Sequence, residues 1–434
     1  MSGSVYAKPL GAAFDLLAAY ASPDGFYFER KGLGVATASL DGALEIGPAS
    51  DVSALARAVA VALREVGDVH GVTPLAVGAL PFAATPASLW IPRRTVIRTD
   101  DGETWLLDLA GDGDQAPAFR PERVIGELPH EAFRPVQLSE EPPGPVYAEA
   151  VRSAVDLIDA GALEKVVLAR TLCVDAGRAL DARRLLHRLR AVEPHCYTFA
   201  APTRQGPPSS VAGTNTDVPA QSREGSSIRL RPLVGASPEL LVSRRGDRVR
   251  SMPLAGTAPR SGDPDEDLAN AEALAASAKD REEHAIVVAA VADVLGGFCD
   301  DLTFDAEPVL EPTANVWHLA TRFEGTLRDR SVTALDLVAE LHPTPAVCGT
   351  PETAARSCID RSEGFDRGAY AGPVGWVDVR GDGDWAIALR CAELDGARAT
   401  LYAGAGIVGG SDPASELEET DRKFRAFLDS LRWG

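Results

Sequence analysis

The sequence is short of several residues that mark particular classes of protein. Of its 434 residues only six are cysteine and two are methionine. The cysteines form no Cys-x-x-Cys pair and no Cys/His spacing suited to zinc, so we expect reduced, buried thiols. The longest apolar segment, residues 285–298, is interrupted by Asp293 and is too short to span a bilayer. These absences argue against a disulfide scaffold, a zinc module and a membrane-spanning helix.

Positive charge is also scarce. The sequence has 43 Lys+Arg against 63 Asp+Glu, which gives a formal net charge of −20. A surface this acidic repels phosphate backbones and anionic bilayers, so we expect neither nucleic acid nor a membrane as a partner. An anionic small molecule could bind only in a locally basic or metal-bearing pocket. Because the N-terminal segment lacks the basic region of a secretory signal, we expect a cytoplasmic protein.

The sequence does contain enough apolar material for a sizeable core, with 45% hydrophobic residues. Apolar residues at helical spacing predict helices over 53–66, 146–160, 182–191, 265–295, 332–341 and 416–431. Apolar runs bounded by turn residues predict strands over 73–82, 103–113, 165–170, 239–245 and 248–254, and a strand meander over 372–379, 385–394 and 399–408. Strands grouped together with helices interspersed favour an α+β fold with antiparallel sheets.

Two segments read as connections rather than as elements of the fold. Residues 127–145 are rich in proline and glutamate, which is typical of a connector. Residues 203–229 are polar, rich in glycine, serine and proline, and without periodicity, so we predict a surface insertion there.

The last predicted helix carries carboxylates beside its apolar face. Ser415 and Glu418 have the spacing of a capping box, which would fix the start of the helix. From that start, Glu416, Glu419 and Lys423 lie on one face. Carboxylates at the edge of a core need something that neutralises them, although a solvated acidic helix start is the plain alternative.

The long predicted helix repeats this arrangement in the segment KDREEH (279–284). Asp280 and Glu283 share a face, and Val287 continues that face into the core. A charged turn before a buried segment would look the same. Two helices that each offer an acidic pair suit a hard cation such as Mg²⁺, which takes a few carboxylates, waters and an anionic ligand.

Lysine is rare, because only five of the 43 basic residues are lysine and the other 38 are arginine. An amine can lose its proton at accessible pH, so a lysine in an apolar strand is a candidate base. Lys165 opens such a strand, although an edge-strand lysine that discourages aggregation is the alternative. Glu239 opens another apolar strand, where it could equally be a turn residue. Arg390 lies in a hydrophobic strand and should meet a carboxylate of the protein or of a ligand.

Three further features could contact a ligand. Gly404 and Gly406 can bring bare backbone N–H groups to an anion, although one Gly-x-Gly is weak evidence. His318 and Tyr370 are polar side chains in apolar segments. Each of these two is more often a satisfied core residue than a ligand contact.

Nine segments, in this order, resemble those of the chorismate-utilising enzymes. They are EKVVLAR (164–170), SPELL (237–241), PLAGTAPR (253–260), KDREEH (279–284), VWHLAT (316–321), LHPTPAVCGTP (341–351), GAYAGPVGW (368–376), ALRCAEL (388–394) and AGAGIVGGSDPASELEETDRKF (403–424). This family includes isochorismate, salicylate, anthranilate and aminodeoxychorismate synthases. The resemblance implies one α+β chorismate-binding domain over 1–434, in which antiparallel sheets pack as a sandwich with helices outside. Residues 1–140 would be its variable N-terminal part and 145–430 its catalytic part.

The resemblance also implies roles for the candidate residues. Lys165 would be the general base that activates a water for attack at C2 of chorismate, and Glu239 would be the general acid that protonates the departing C4 hydroxyl. Arg390 and the backbone at Gly404 would take the enolpyruvyl carboxylate. The implied substrate pocket consists of Gly256, Thr257, His318, Ala346, Tyr370, Arg390, Gly404 and Lys423.

A magnesium ion is the cofactor that the resemblance implies. Glu283 and Glu419 would hold the ion, and Asp280 and Glu416 would bind its waters. The ion would take the ring carboxylate of the substrate, which would reconcile an anionic substrate with an acidic protein.

Within the family, the sequence resembles the isochorismate synthases most. Anthranilate synthases lack a lysine at the position of Lys165, and aminodeoxychorismate synthases carry a lysine at that of Ala255. Ala346 stands where salicylate synthases tend to have threonine. Tyr370 and Leu389 are also seen in salicylate synthases, so a salicylate synthase is the first alternative and a non-catalytic chorismate-binding protein is the second.

The resemblance finally implies what the protein works with. The product would enter siderophore or menaquinone biosynthesis. Since water rather than ammonia would be the nucleophile, we expect no glutamine amidotransferase subunit, and we expect a monomer.

Overall fold

The computed structural model describes residues 6–66, 72–83, 86–109, 137–204 and 230–431. In these ranges the chain forms 24 strands. In chain order they are β1 (Tyr6–Pro9), β2 (Phe26–Arg30), β3 (Leu33–Thr37), β4 (Leu44–Ala49), β5 (Leu75–Ala79), β6 (Ala87–Ile91), β7 (Arg94–Arg98), β8 (Thr104–Asp108), β9 (Gln137–Glu141), β10 (Lys165–Asp175), β11 (Tyr197–Arg204), β12 (Leu230–Ser237), β13 (Leu240–Arg245), β14 (Arg248–Met252), β15 (Leu254–Pro259), β16 (Thr303–Phe304), β17 (Val309–Pro312), β18 (Val316–Ala320), β19 (Phe323–Thr326), β20 (Gly349–Thr350), β21 (Pro373–Asp378), β22 (Gly383–Ile387), β23 (Cys391–Asp395) and β24 (Arg398–Ile407).

The same ranges contain eight α-helices and one short 3₁₀ turn at Leu16–Ala19. The α-helices are α1 (Val52–Val66), α2 (Gly144–Asp159), α3 (Ala182–Val192), α4 (Pro264–Ala276), α5 (Ala278–Phe298), α6 (Ala334–Leu341), α7 (Glu352–Ser362) and α8 (Pro413–Leu431). None of these described helices has the length and apolar character needed to cross a bilayer.

The strands form three antiparallel sheets. The largest has twelve strands in the order β1-β8-β7-β3-β2-β11-β12-β23-β24-β10-β20, and β9 also pairs with β10. The second has nine strands in the order β16-β19-β14-β13-β22-β21-β5-β6-β4, and the third is β15-β18-β17. The predicted α+β fold with antiparallel sheets is confirmed.

Alternation along the strands decides which side chains lie between the two large sheets. In β2, Phe28 belongs to the core that the two sheets share, whereas its neighbour Tyr27 points to the opposite face. Phe199 and Ala200 of β11 divide in the same way. Because successive side chains of a strand point to opposite faces, one face of the twelve-stranded sheet packs on the other sheet and the outer face is covered by α3 and α8. Helices α1 and α6 cover the outside of the nine-stranded sheet. The structure is thus the expected sandwich with helices outside.

The single helix predicted over 265–295 is wrong, because the chain forms two helices that meet at Ser277. Ser277 has an extended backbone, and its hydroxyl accepts a hydrogen bond of 3.2 Å from the backbone N–H of Asp280. It therefore caps the start of α5. Apolar residues continue at helical spacing through α4 and α5, so Ser277 alone marks the break between the two helices in the sequence.

The capping box predicted at Ser415 and Glu418 is also wrong. Helix α8 begins at Pro413, and the Asp412 carboxylate accepts hydrogen bonds from the backbone N–H (2.9 Å) and the hydroxyl (3.0 Å) of Ser415. An acidic cap followed by proline is a favourable helix start, since proline has no N–H to leave unsatisfied there.

The meander predicted over 372–408 is divided between the two large sheets. Strands β21 and β22 belong to the nine-stranded sheet, whereas β23 and β24 belong to the other. The predicted strand 385–394 therefore breaks after Ile387. Arg390 lies in the crossing rather than within a strand, and its φ of 48° is incompatible with continued strand geometry.

Other differences concern short or polar segments. Helix α7 is not among the helices predicted from the sequence, and β9 falls within the predicted connector because this exposed strand is polar. Residues 203–204 of the predicted insertion end β11, and 205–229 lie outside the described residues, as do 127–136. All six cysteines are free, and all but the half-buried Cys173 are buried, as predicted.

A buried ion pair joins helix α7 to the strand that begins at Lys165. The Arg367 side chain donates 2.8 Å hydrogen bonds to the Glu363 carboxylate and to the carbonyls of Val347 and Val167. The backbone N–H of Ala169 donates to the same carboxylate at 2.7 Å. Since both side chains are almost fully buried, each charge depends on the other for stabilisation.

We predict that Arg367→Met lowers the free energy of unfolding by about 3–5 kcal/mol, because it leaves a buried carboxylate without its counter-charge. Urea unfolding measures this change. Arg152→Met is the matched control, since Arg152 pairs with Glu149 on the exposed side of α2 and should change stability by less than about 1 kcal/mol. Equal effects of the two substitutions would contradict the prediction.

Candidate active site

A cleft with about 770 Å³ of empty space, including its open mouth, is lined by residues of the twelve-stranded and three-stranded sheets, of two helices and of the connections between elements. It is lined by Val167, Pro238, Glu239, Leu254, Ala255, Gly256, Glu283, His318, Ala346, Val347, Tyr370, Ala371, Leu389, Arg390, Tyr402, Ala403, Gly404, Gly406, Glu419 and Lys423. Ten of the fourteen residues predicted from the sequence are in this wall. The other four, Lys165, Thr257, Asp280 and Glu416, lie directly behind it, in contact with the wall or with its charges.

Lys165 is completely buried at the first position of β10, where it pairs with Thr350 of β20. Its Nζ lies 2.9 Å from Oε1 of Glu283, which faces the cleft from α5. The angle of this contact is not that of a hydrogen bond, so within the described part of the chain the Nζ has no hydrogen-bond acceptor. A buried ammonium or amine without such a partner is costly, and a group bound in the cleft could supply one.

Glu239 is 2% exposed and lies between β12 and β13, at the edge where the two large sheets meet. Its backbone N–H donates to the Ser237 hydroxyl at 3.2 Å. Burial raises the pKa of the Glu239 carboxyl to about 8, although the nearby Lys165 charge acts in the opposite direction. The carboxyl is therefore largely protonated at neutral pH and can donate a proton.

The acidic pairs predicted on two helices do come together. Lys279 of α5 donates a 2.6 Å hydrogen bond to Glu416 of α8, and Lys423 donates to Glu419 at 2.6 Å and to the Gly404 carbonyl at 2.7 Å. Burial first, and then the neighbouring Glu419 charge, raises the pKa of Glu416. The two helices thus meet through their carboxylates, which lysines neutralise.

Asp280 stands behind the cleft beside Gly256, which has a φ of +73°. A Cβ at Gly256 would lie 3.2 Å from Oδ1 of Asp280, so only glycine fits comfortably there. A Cβ at Gly406 would lie 2.0 Å from Oε1 of Glu283. Glycine at these two positions therefore makes room for the carboxylates of α5.

The carboxylates are oxygen ligands of the kind that a hard cation prefers, but they are too few to complete its coordination by themselves. Glu283 and Glu419 line the same cleft from two helices, and oxygen ligands are those that Mg²⁺ prefers. Among the described residues, no three His, Cys, Asp or Glu side chains are grouped so that they could hold a metal ion. Mg²⁺ commonly binds through one or two carboxylates, with waters and an anionic substrate in its other positions, and this donor set fits that pattern.

Arg390 and His318 form a hydrogen-bonded pair in the cleft wall. The distance between Arg390 Nη2 and His318 Nε2 is 2.8 Å, and that between His318 Nδ1 and the Gly256 carbonyl is 3.0 Å. Since a guanidinium only donates, Nε2 must accept and Nδ1 must carry the proton. Burial and the Arg390 charge lower the pKa of His318 well below its usual value, which keeps the ring neutral. Thr257 lies 3.4 Å from the same Nδ1.

Arg390 was expected to meet a carboxylate of the protein or of a ligand, and among the described residues it makes no ion pair within 4.0 Å. Its charge is therefore available to a ligand in the cleft. Arg390 has a φ of 48° and Ala371 a φ of 61°, and both lie in the cleft wall. Non-glycine residues adopt this region at a cost and typically at functional sites, where the surrounding structure enforces it.

Tyr370 stacks on Tyr402, which is not among the site residues predicted from the sequence. Its ring lies 4.9 Å from that of Tyr402, with the two planes 13° apart. Tyr402 could have been found, because it precedes Gly404 and Gly406 by two and four positions in one strand and must face the same side. Leu254 and Val347 also line the cleft, but nothing in their sequence context distinguishes them from core residues.

Residues 78–429 match the family model described as chorismate binding enzyme, so the chain belongs to the chorismate-binding enzyme family. It is an enzyme of that class. It is similar to isochorismate synthase DhbC of Bacillus subtilis, with 41% identity over 394 residues that cover 90% of each chain. It is 35% identical to the vibriobactin-specific isochorismate synthase of Vibrio cholerae over 357 residues, or 82% of this chain and 78% of that one. The crystal structure of DhbC from Bacillus anthracis superposes with a TM-score of 0.79 at 33% identity and covers 96% of this chain and 99% of that one.

We predict that His318 stays neutral, with its proton on Nδ1, when the pH is lowered from 8 to 5. The lowered pKa means that an unfolded His318 would take up a proton near pH 6.5 and the folded one would not. ¹⁵N NMR of histidine-labelled protein reads the tautomer directly, and His318→Gln assigns the signal. Protonation of that signal near pH 6.5 would contradict the assignment.

Proposed function

We propose that the chain is an isochorismate synthase, which adds water at C2 of chorismate and expels the C4 hydroxyl, for siderophore or menaquinone biosynthesis. One observation carries the proposal. A buried lysine and a protonated buried carboxyl, Lys165 and Glu239, lie at one cleft whose wall also presents Arg390, which makes no ion pair within 4.0 Å among the described residues. This reaction needs a proton acceptor, a proton donor and a site for an anion, and these three residues supply them.

Lys165 would accept the proton of the attacking water. Its Nζ is buried and has no hydrogen-bond acceptor in the described part of the chain, so a water in the cleft is available to it as a partner. The Nζ also lies 2.9 Å from Oε1 of Glu283, which lines the cleft.

Glu239 would donate a proton to the departing C4 hydroxyl. With its pKa raised to about 8, the carboxyl carries the proton at neutral pH and can give it to a leaving group. Lys165 would take one proton from the attacking water and Glu239 would give one proton to the leaving hydroxyl, so the isomerisation consumes no net proton from solvent.

Arg390 would bind the enolpyruvyl carboxylate of the substrate. His318 accepts one of its N–H groups and fixes the orientation of the guanidinium, which leaves other N–H groups for a carboxylate. Gly404 and Lys423 lie next to each other in the wall and would contact the same end of the ligand. The remaining predicted residues, Gly256, Thr257, Ala346 and Tyr370, would enclose the ring.

Mg²⁺ is the cofactor that the carboxylates of α5 and α8 would hold, with Glu283 and Glu419 as direct ligands. Asp280 and Glu416 would bind its waters. When bound, the ion would supply a positive charge that orients the ring carboxylate of the substrate.

Since the nucleophile would be water, the reaction requires no glutamine amidotransferase subunit. We propose that the enzyme acts as a monomer in the cytoplasm.

The decisive test is to incubate the purified protein with chorismate and Mg²⁺ and to separate the products by chromatography. Isochorismate is expected as the product. Salicylate, which is fluorescent, would instead identify a salicylate synthase, and the absence of turnover would favour a non-catalytic binding protein. Lys165→Met should abolish turnover, whereas Lys8→Met, which changes an exposed lysine on β1, should not.

We predict that kcat/KM for chorismate is highest below about pH 8 and falls as the pH rises through that value. The reason is that Glu239 loses the proton it must donate. Glu239→Gln should lower kcat at neutral pH by about 100-fold or more. Exposed Glu282→Gln is the control and should retain the wild-type profile. An activity that keeps rising from pH 7 to 9 would show that Glu239 is not the proton donor.

A further inference from the structure

Three of the five lysines in this chain contact carboxylates in the wall of the cleft or directly behind it. Lys165 contacts Glu283, Lys279 contacts Glu416 and Lys423 contacts Glu419, at 2.9, 2.6 and 2.6 Å. The other 38 basic residues are arginines, which outnumber the lysines more than sevenfold. Within the part of the chain that the structure describes, no arginine forms an ion pair with the four carboxylates of the predicted metal site, Asp280, Glu283, Glu416 and Glu419.

The choice of lysine has a physical consequence. An arginine binds a carboxylate through two parallel hydrogen bonds and holds it in one geometry. A lysine binds through a single flexible point charge and detaches more easily. Lysines can therefore neutralise a carboxylate cluster and still give way to another cation.

Lys279 is the member of the three with no place in the proposed chemistry. It does not line the cleft, and its side chain is 38% exposed, so it can swing into solvent. It links α5 to α8 through Glu416, which is 3% exposed. Its charge also interacts with Glu283 and Asp280, so one ammonium neutralises carboxylates of both helices.

A buried carboxylate with no counter-charge is strongly destabilising, so Glu416 needs a cation close by. A divalent ion held by Glu283 and Glu419 would provide that positive charge. The ammonium of Lys279 would then be a second cation at the same cluster, and the two would repel each other.

We propose that Lys279 is a displaceable counter-cation, which neutralises the carboxylates of α5 and α8 while no divalent ion is bound and leaves Glu416 when Mg²⁺ binds. The inference rests on the proposed function, because it takes Glu283 and Glu419 as the ligands of Mg²⁺. It makes Lys279 a positioning residue that sets the affinity for the metal.

Removal of the competing charge should strengthen metal binding. We predict that Lys279→Met lowers the Kd for Mg²⁺ by roughly threefold to tenfold. It should also lower the melting temperature of the metal-free protein more than that of the Mg²⁺-bound protein. Lys279→Arg keeps the pair with Glu416 and should weaken Mg²⁺ binding instead, because arginine can bind the carboxylate through two hydrogen bonds and is harder to displace.

The experiment uses the full chain without substrate, stripped of metal with EDTA and dialysed. Titration with MgCl₂ is followed by calorimetry and by the melting temperature, so that neither reading depends on turnover. Arg281→Met is the matched control, because Arg281 lies on the same helix and pairs with Glu307 away from the cleft. It should leave the Mg²⁺ affinity unchanged.

The outcomes separate this inference from the function on which it rests. If Glu283→Gln removes Mg²⁺ binding and Glu282→Gln does not, the metal ligands are as proposed. If Lys279→Met then binds Mg²⁺ with the same Kd as the wild type, only the proposed role of Lys279 is contradicted.

If the wild type binds no Mg²⁺, or if Glu283→Gln leaves binding unchanged, both the metal assignment and the proposed role of Lys279 are contradicted. A higher Kd for Lys279→Met than for the wild type would also overturn the proposal, because it would show that Lys279 strengthens metal binding. Lys279→Arg retains the ion pair with Glu416 and is expected to fold, so it tests the proposal even if Lys279→Met does not fold.

Discussion

The cleft depends on the burial of charge, above all on the contact between Lys165 and Glu283. Lys165 is fully enclosed at the start of β10, and a group in that position must be neutral or paired. Glu283 supplies the pairing from α5, and the glycine at position 406 leaves the space in which the two meet. The same carboxylate is a proposed ligand of a metal ion. Because Glu283 contacts Lys165 and is also a proposed metal ligand, a cation bound in the cleft would change the charge beside the proposed base.

The sandwich places these groups by joining its sheets at one point. Lys165 and Gly404 belong to neighbouring strands of the twelve-stranded sheet, and Glu239 lies where the chain passes from that sheet to the other. Arg390 lies at the return crossing, in a left-handed backbone conformation that turns it out of the strand direction. The proposed catalytic groups therefore lie where regular strand pairing begins or ends, and the packing of both sheets holds the strained backbone there.

The chemistry was more predictable from the sequence than its supporting structure. Lys165, Glu239 and Glu283 stand out because a charge next to an apolar run must be buried or functional. The break at Ser277 and the cap at Asp412 are not visible in the apolar spacing, since both depend on one local hydrogen bond that overrides periodicity. The position of Arg390 could not be predicted either, because an apolar run looks the same whether it stays in one sheet or crosses between two. The alternation of side chains along the strand could have identified Tyr402 as a residue of the cleft. Nothing in the sequence context of Leu254 distinguishes it from a core residue.

In the proposed complex, chorismate lies between the Lys165 amine and the Glu239 carboxyl, and its ring carboxylate binds a metal ion held between two helices. The most direct measurement is a crystal structure of the inactive Glu239→Gln variant with chorismate and Mn²⁺, which prefers the same oxygen ligands as Mg²⁺ and scatters anomalously. We expect an anomalous peak in contact with both Glu283 and Glu419, and the substrate ring between residues 165 and 239. A peak elsewhere, or a ring bound outside the cleft with Lys165 and Glu283 still in contact, would contradict it.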